Sequence, residues 1–375
     1  MRIKTLGFPR MHKEKGERRD FLPELFQKLD KFKEVEIYLE EGYGEGMGFK
    51  HKDYLHKNPN LKFVSHDEIY KKDLVVVLRA PKTEDIEKMR KESSLISMLH
   101  YDTRPIRNAL LKRKEILSFS MDSMVDDDNN RMVVNYWGTA MSGARIAFKE
   151  LQRRMRDFYS LDRKIINITI MGFGKVGLNA ARAFKELSNL ELLSENVPGL
   201  VVNMLTRSIT KDKEALKYIF KETDLLVDAT WRKDATKIIV PNSLIAHLPE
   251  HAIILDLAAD PYNEKVKPIQ VKGIEGIPTG TLDKYVIEPD DELYETIPKE
   301  IDKTNRRLVV SCNAWPGVHP EESMAVYGRQ IFPFIKVLLE NGSHSLDIDS
   351  ENLYERALVR SSLDYFLKNY EYWRY

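Results

Sequence analysis

Cysteine is almost absent from this sequence of 375 residues, which contains only Cys312. An intramolecular disulfide is therefore excluded, and a reducing compartment fits this cysteine usage. An excess of charge of one sign is also lacking, because 59 basic and 58 acidic residues leave a formal net charge of +1. Without such an excess, we expect no nucleic acid and no anionic membrane surface as a partner.

Long apolar runs are missing as well. No segment approaches the roughly 20 apolar residues of a transmembrane helix. The opening MRIKTLG does not resemble a signal peptide. We therefore expect a cytoplasmic protein without a membrane partner. The length exceeds that of one typical hydrophobic core, which favours two domains. The sequence leaves the oligomeric state open, a homo-oligomer included.

The most informative segment that is present begins at residue 165. An apolar, β-branched run over residues 165–171 leads into Gly-x-Gly-x-x-Gly at 172–177, and small and apolar residues at helical spacing follow. This is the strand–turn–helix context of a dinucleotide-binding fingerprint, whereas the alternative is a glycine-rich turn without a ligand. The glycines permit, in order, a tight turn, close approach of a pyrophosphate and close packing of helix on strand. The residues that we expect at the cofactor's phosphates are Gly172, Gly174, Lys175, Val176 and Gly177.

The end of the next predicted strand, residues 200–205, bears on the choice of cofactor. A site for NAD(H) usually has an acid there, which binds the ribose hydroxyls. This strand ends instead in Thr206, Arg207 and Ser208, whose hydroxyl and guanidinium groups suit a 2′-phosphate. The alternative is that Arg207 is an ordinary surface arginine. The sequence favours NADP(H) over NAD(H).

Strand-like and helix-like segments alternate along the chain. Short apolar runs such as residues 73–78 are typical of strands in a parallel sheet with crossover helices. The sequence predicts an α/β fold of two Rossmann-like domains with parallel sheets, a cleft between them and long linking helices. Residues 1–140 plus 321–375 are the predicted substrate (catalytic) domain, and residues 141–320 the dinucleotide-binding domain. The tail is predicted as a packed terminal helix from Leu353 to Tyr375.

Several segments of the first domain carry a recognisable pattern: residues 16–24 (GERRDFLPE), 36–44 (EIYLEEGYG) and 73–81 (DLVVVLRAP). Their order and spacing resemble the alanine dehydrogenase and transhydrogenase superfamily, whose motifs include Glu-x-Arg…Pro and Asp-x-Val-x-x-Val-Lys-Glu-Pro. Leu99-His100 resembles the strand that ends in the superfamily's catalytic histidine. Residues 242–260 resemble the segment that carries its catalytic aspartate, which corresponds here to Asp260.

Two further segments resemble one branch of that superfamily. Residues 128–144 (DNNRMVVNYWGTAMSGA) and 310–323 (VSCNAWPGVHPEES) are similar to saccharopine dehydrogenase of the lysine-forming type. The GERR and YLEEG runs also resemble carboxyethylornithine synthase. Both relatives join an amino acid and a 2-oxo acid through a secondary amine. The resemblance implies an NAD(P)H-dependent oxidoreductase that acts on a CH–NH bond, with an amino acid and a 2-oxo acid as small-molecule partners.

The resemblance also implies roles for individual residues. His100 suits a proton shuttle, because the unperturbed pKa of histidine lies near neutrality. The alternative is a hydrogen-bonded histidine at a strand end. Arg79 stands where the superfamily usually has lysine. Arginine stays protonated and cannot be a general base, but it can clamp a carboxylate. We therefore expect Arg79 to anchor the 2-oxo acid, with a plain surface arginine as the alternative.

The remaining candidates are chosen by their positions relative to the motifs of the resembled superfamily. Either Arg18 or Arg19 provides a second carboxylate clamp, since spacing to the following proline favours the first and spacing from the preceding glutamate favours the second. Asp122 is placed to bind a substrate ammonium, or else caps a loop. Asp260 contacts nicotinamide ribose or substrate, or caps a turn. Asn313 is a candidate for positioning nicotinamide or substrate.

Two other functions are compatible with these residues. One is an alanine-type amino-acid dehydrogenase that uses ammonia, and the other is a nucleotide-binding module without chemistry. His100, Asp260 and the arginines count against the module, whereas Arg79 in place of lysine counts mildly for it. The histidines show no metal-ligand spacing along the sequence, so we expect no metal.

Overall fold

The computed structural model describes residues 2–12, 14–193 and 195–369. They fall into two compact units. The first unit runs to Asn135 and resumes at Pro320, and the second spans Tyr136–His319. Each unit contains its own six-stranded sheet. Among the described residues, no helix combines the length and the apolar character that crossing a bilayer requires.

Strands and helices alternate through both units. The strands are β1 (Thr5–Phe8), β2 (Glu36–Glu40), β3 (Lys62–Val64), β4 (Leu74–Arg79), β5 (Ser94–Met98), β6 (Leu117–Ser120), β7 (Ile166–Met171), β8 (Leu200–Leu205), β9 (Leu225–Asp228), β10 (Ile253–Asp256), β11 (Val286–Ile287) and β12 (Leu308–Ser311). The helices are α1 (Pro23–Leu29), α2 (His51–Lys57), α3 (His66–Ile69), α4 (Thr83–Lys88), α5 (Pro105–Arg113), α6 (Tyr136–Arg154), α7 (Lys175–Ser188), α8 (Arg207–Lys211), α9 (Lys213–Phe220), α10 (Asn242–Ile245), α11 (Pro320–Asn341), α12 (Leu353–Arg360) and α13 (Leu363–Asn369).

The sheet of the first unit has the strand order β3-β2-β1-β4-β5-β6, and every pair is parallel. The chain order reverses between β1 and β4, which makes their carboxyl ends the topological switch point of this sheet. The sequence of β4 explains why residues 74–79 form an interior strand of this sheet. Its first five residues are apolar and buried, and only Arg79 at its end is partly exposed.

The sheet of the second unit has the order β11-β12-β10-β9-β7-β8. All pairs are parallel except β11 with β12. Alternate residues of β10 supply two cores, because Ile253 and Leu255 pack on one face and Ile254 on the other. The chain order reverses between β7 and β9, so the switch point lies where these two strands end. These two sheets confirm the predicted α/β class.

The predicted terminal helix is wrong as a single element. Residues 353–369 form two helices, α12 and α13, which are separated at Ser361 and Ser362. The backbone N–H of Ser120 donates to the carbonyl of Ser361, and Ser362 forms a bridge to Phe119 in β6. Pairing with the sheet therefore interrupts the helix. Residues 370–375 of the prediction lie outside the described residues.

The glycine turn after β7 generates a stability prediction. A Cβ added to Gly177 would lie 2.1 Å from the carbonyl oxygen of Gly172, whereas a Cβ on Gly174 would meet no atom within 4 Å. We expect Gly177→Ala to lower the free energy of unfolding by about 2–3 kcal/mol, because backbone must move to admit the methyl group. We expect Gly174→Ala to cost less than about 1 kcal/mol. Urea unfolding of both variants tests this difference, and equal losses would contradict it.

Candidate functional site

The glycine turn forms an open cradle at the switch point of the second unit. Gly172 has φ +108°, and a Cβ on it would lie 2.4 Å from the carbonyl oxygen of Ala229. Helix α7 begins directly afterwards, with exposed Gly174 as its N-cap residue and no side chain of the described residues capping it. Its first N–H groups are therefore available to an anion. These residues fit the pyrophosphate of a dinucleotide.

Lys175 and Val176 open helix α7 and differ in their surroundings. Lys175 is exposed, and its ammonium group lies 5.7 Å from the centre of the Tyr136 ring. Val176 is partly buried and packs against the core of the second unit. The backbone of both residues belongs to the helix start that we expect at the phosphates, whereas only the lysine adds a charge there.

A polar group follows strand β8, directly beside the glycine turn. Met171 and Leu205 are in register on the parallel strands β7 and β8. Thr206, the residue after β8, therefore comes next to Gly172. The hydroxyl oxygens of Thr206 and Ser208 lie 2.8 Å apart, and Arg207 between them is exposed. Two hydroxyls and a guanidinium suit a phosphate monoester, and no carboxylate is placed among these three residues to repel it.

Two buried aspartates end the central strands of this unit, and sequence reasoning did not select them. Asp228 ends β9, Asp256 ends β10, and the two are in register. Asp256 Oδ2 accepts hydrogen bonds from Lys272 Nζ at 2.7 Å and Ser311 Oγ at 2.9 Å. Burial, followed by the charge of Asp256, raises the pKa of Asp228 to about 6 against the hydrogen bonds from Thr230. An acid that ends a buried apolar run, as in LLVD and IILD, is a signal that the sequence does contain.

Asp260 and Asn313 lie beyond the ends of β10 and β12. Asp260 accepts a hydrogen bond at 2.6 Å from Arg232, whose side chain is only 7% exposed. The ion pair holds Asp260 in place and neutralises it, and its own side chain stays partly exposed. Asn313 is exposed, and its backbone N–H donates to the carbonyl of Gly280.

His100 and Asp122 form a pair at the carboxyl edge of the first sheet. His100 follows β5, and its backbone adopts the left-handed region with φ +50°, which is uncommon outside glycine and often marks a functional site. Its Nδ1 lies 3.4 Å from Asp122 Oδ2, and its backbone N–H donates to Asp122 Oδ1. Burial raises the pKa of Asp122, but the hydrogen bond and charge of His100, with the Ser120 hydroxyl, lower it to about 2.

Arg79 lies in a buried charge cluster and is not an isolated surface residue. Its Nη1 donates to Glu14 at 2.7 Å and to Glu17 at 3.0 Å. The side chain of Glu17 is fully buried and also accepts two hydrogen bonds from Arg19, at 2.8 and 2.6 Å. Burial raises the pKa of Glu17, but the bonds and charges of Arg19 and Arg79 lower it to about 2. The cluster keeps both arginines charged and fixed.

The two candidate clamps at the start of the chain therefore differ. Arg19 is 4% exposed and committed to Glu17. Arg18 is exposed, and its side chain makes no hydrogen bond or ion pair with the described residues. Arg18 is thus the one of the two that can reach a ligand in solution.

Three residues far apart in sequence also meet in the first unit. One ligand atom each of His12, Glu40 and His66 lies within 4.8 Å of the other two. Spacing along the sequence gave no sign of this group, because the residues belong to three different strand ends. A search for polar residues that follow successive strands would have found it.

The Glu17 cluster generates a prediction on stability and pH. Glu17→Gln leaves the buried guanidinium of Arg19 without its counter-charge, so we expect the free energy of unfolding to fall by about 3 kcal/mol at pH 7. Because the pKa of Glu17 drops from its ordinary value of 4.5 to about 2, this difference is complete above pH 4.5 and shrinks as the pH falls towards 2. Urea unfolding from pH 7 to pH 3 measures it. Glu24→Gln, at an exposed glutamate on α1, is the control and changes little. If Glu17→Gln lowers the free energy of unfolding no more than the control does, Glu17 is not the counter-charge that stabilises Arg19.

Comparisons with known proteins agree with this fold. Residues 7–138 match the family model of the alanine dehydrogenase/PNT N-terminal domain. A solved L-alanine dehydrogenase aligns over 96% of this chain and 94% of its own, with 17% identity and a TM-score of 0.68. A transhydrogenase from Sinorhizobium meliloti aligns over 90% of this chain and 95% of its own, with 13% identity and a TM-score of 0.59. No curated protein matches the chain significantly. The family match supports the alanine dehydrogenase/PNT N-terminal domain over residues 7–138, and the two solved structures support the fold. None of these matches singles out a saccharopine or carboxyethylornithine branch.

Proposed function

We propose that the protein is an NAD(P)H-dependent oxidoreductase acting on a CH–NH bond. The proposed reaction is the opine-type reductive condensation of an amino acid with a 2-oxo acid, or its reverse. The observation that carries the proposal is the His100–Asp122 pair, since it occurs in a chain whose other unit has an open dinucleotide cradle. A protein that only binds nucleotides has no use for a histidine oriented in this way.

The second unit supplies the cofactor site in this proposal. Gly172, Gly174 and Gly177 with the start of α7 would hold the pyrophosphate. Thr206, Arg207 and Ser208 would hold the 2′-phosphate of NADP(H), and this favours NADP(H) over NAD(H). When bound, the reduced nicotinamide supplies the hydride. In the reductive direction, the amine of the amino acid and the carbonyl of the 2-oxo acid lose water to give an imine. The imine carbon then accepts hydride and its nitrogen a proton, which gives a secondary amine.

The first unit supplies proton transfer. Asp122 faces Nδ1 of His100, and the described residues give Nε2 no hydrogen-bond partner. Nε2 is therefore the nitrogen that can exchange a proton with the substrate, while the aspartate fixes the orientation of the ring. The side chain of His100 is about half exposed, so a ligand in solution can reach it.

Arg18 and Arg79 would bind the carboxylate of the substrate in different ways. Arg18 offers an exposed guanidinium, whose fork can bind a carboxylate with two hydrogen bonds. Arg79 shares Nη1 with two glutamates, which leaves its other guanidinium nitrogens for a substrate. We assign Arg18 as the principal clamp for the 2-oxo acid and Arg79 as a second contact. Asp260 and Asn313 remain candidates for nicotinamide or substrate contacts.

An alanine-dehydrogenase-type reaction is the second candidate, because residues 7–138 match that family's N-terminal domain. In it ammonia replaces the amino acid as the amine. The chemistry at the carbon is the same, so both reactions use the same proton shuttle and clamp.

A substrate panel tests the proposal. We expect NADPH to be oxidised when pyruvate or 2-oxoglutarate is combined with an amino acid such as lysine or ornithine, and the absorbance of NADPH measures it. His100→Gln should lower kcat at least about a hundredfold with KM little changed, because proton transfer is lost. Turnover with ammonia in place of the amino acid would support the alanine-type reaction instead. NADPH binding without turnover on any combination would overturn enzyme activity of either type.

The phosphate clamp yields a separate prediction. Arg207→Asp should weaken NADPH binding at least about tenfold while NADH binding changes little, because only NADPH carries the 2′-phosphate. Fluorescence titration of both cofactors measures the ratio. Lys211→Asp makes the same charge change at the other end of helix α8 and is the control. Equal loss of both cofactors would contradict the preference for NADP(H).

A further inference from the structure

Three neighbouring strands of the first sheet deliver ligand-type side chains to one point. His12 lies in the segment after β1, Glu40 ends β2, and His66 opens α3 after β3. Because the sheet order is β3-β2-β1 and the strands are parallel, their carboxyl ends meet at the same edge. Glu40 Oε1 lies 2.6 Å from His12 Nε2 and 3.1 Å from His66 Nδ1. The convergence follows from topology, although the residues are distant in sequence.

Glu40 is a buried carboxylate whose ion-pair partners are two imidazoles, which carry a charge only when they are protonated. Glu40 is only 4% exposed. In the part of the chain that the structure describes, its carboxylate has no lysine or arginine side chain as an ion-pair partner. Its contacts are the two imidazoles and the backbone N–H of Arg10, at 2.8 Å from Oε2. Buried carboxylates are paired with a cation or coordinate a metal.

Asp85 determines which nitrogen of His66 is available. Its Oδ1 lies 2.8 Å from His66 Nε2, and the aspartate is 4% exposed. A neutral imidazole that donates Nε2–H to this carboxylate has its lone pair on Nδ1. Nδ1 and Glu40 Oε1 then face each other as two acceptors. A carboxylate that orients a histidine from behind is the usual outer partner of a metal ligand.

We propose that His12, Glu40 and His66 bind a divalent cation of the Zn²⁺ class. Two imidazoles and one carboxylate are a common zinc donor set, whereas Mg²⁺ and Ca²⁺ prefer oxygen ligands throughout. Tetrahedral zinc with bonds of about 2.0–2.2 Å places its ligands roughly 3.3–3.5 Å apart. The two separations from Glu40 Oε1, 2.6 and 3.1 Å, are shorter than this, and the partly exposed rings of His12 and His66 can move to reach that spacing. A fourth position stays open to water.

The metal would act as a cross-link. His12 lies on the segment between β1 and α1, which also carries Glu14, Glu17 and Arg18. A bound cation would tie this segment to β2 and α3, so metal binding adds to the stability of the folded state. Affinity should fall as the pH decreases, because both imidazoles must be deprotonated to bind.

Calorimetric titration of chelator-treated, untagged protein with ZnCl₂ tests the proposal. We expect one equivalent to bind at pH 8, a higher unfolding temperature and weaker binding at pH 5.5. The double variant His12→Gln, His66→Asn keeps hydrogen-bonding groups near Glu40 but loses both imidazoles, so affinity should fall more than about a hundredfold. Asp85→Asn should cost about ten- to a hundredfold. His56→Asn, at an exposed histidine on α2, should leave binding unchanged.

X-ray absorption of the zinc-loaded wild type provides a readout that does not depend on any variant. Two imidazoles in the first coordination sphere support the site. Absence of stoichiometric zinc binding at pH 8, a coordination sphere without histidine, or undiminished binding by a folded double variant would each overturn it. Binding of MgCl₂ as tight as that of ZnCl₂ would also overturn the assignment of the cation's class.

Discussion

The meeting of parallel strand ends at one edge of each sheet is the constraint on which the candidate site depends. Every strand of the first sheet runs in the same direction, so residues that follow different strands come together although they are distant in sequence. Arg79 at the end of β4 and His100 after β5 lie at this edge, as does Glu40 at the end of β2. In the second sheet, the glycine turn and Asp228 stand at the ends of adjacent strands. Polar groups collect there because the interior of the sheet is apolar on both faces.

Burying a carboxylate has an electrostatic cost, and four buried carboxylates of this protein differ in how that cost is offset. Glu17 and Asp256 are paired with arginine and lysine respectively, and the bonds of Arg19 and Arg79 lower the pKa of Glu17 to about 2 despite burial. Among the described residues, no lysine or arginine lies within hydrogen-bond distance of Asp20, in the segment between β1 and α1, or of Asp228, and Arg10 is 4.0 Å from Asp20. Burial raises the pKa of each aspartate to about 6. The hydrogen bonds of Glu17 and Asp256 also hold the partner side chains in place.

Local patterns were enough to predict much of this architecture. The glycine fingerprint and the strand at 200–205 each depend on neighbouring residues, where periodicity and turn chemistry are informative. The choice of His100 rests on the family resemblance instead. The partners of those residues were not predictable in the same way. That Arg79 meets Glu17, or His12 meets Glu40, depends on strand order and register, which a single sequence does not display. The same holds for the tail, where pairing with β6 overrides a helical pattern.

Arginine at position 79 narrows the chemistry that the first unit can perform. The bonds of Glu14 and Glu17 raise the pKa of Arg79, against the lowering effect of burial. A guanidinium held in this way does not give up a proton at any physiological pH. In the proposed reaction we assign proton exchange to His100, whose Nδ1 lies 3.4 Å from Asp122. We assign binding and orientation of the substrate to Arg79. In the proposed reaction, charge stabilisation and proton transfer therefore fall to two different residues.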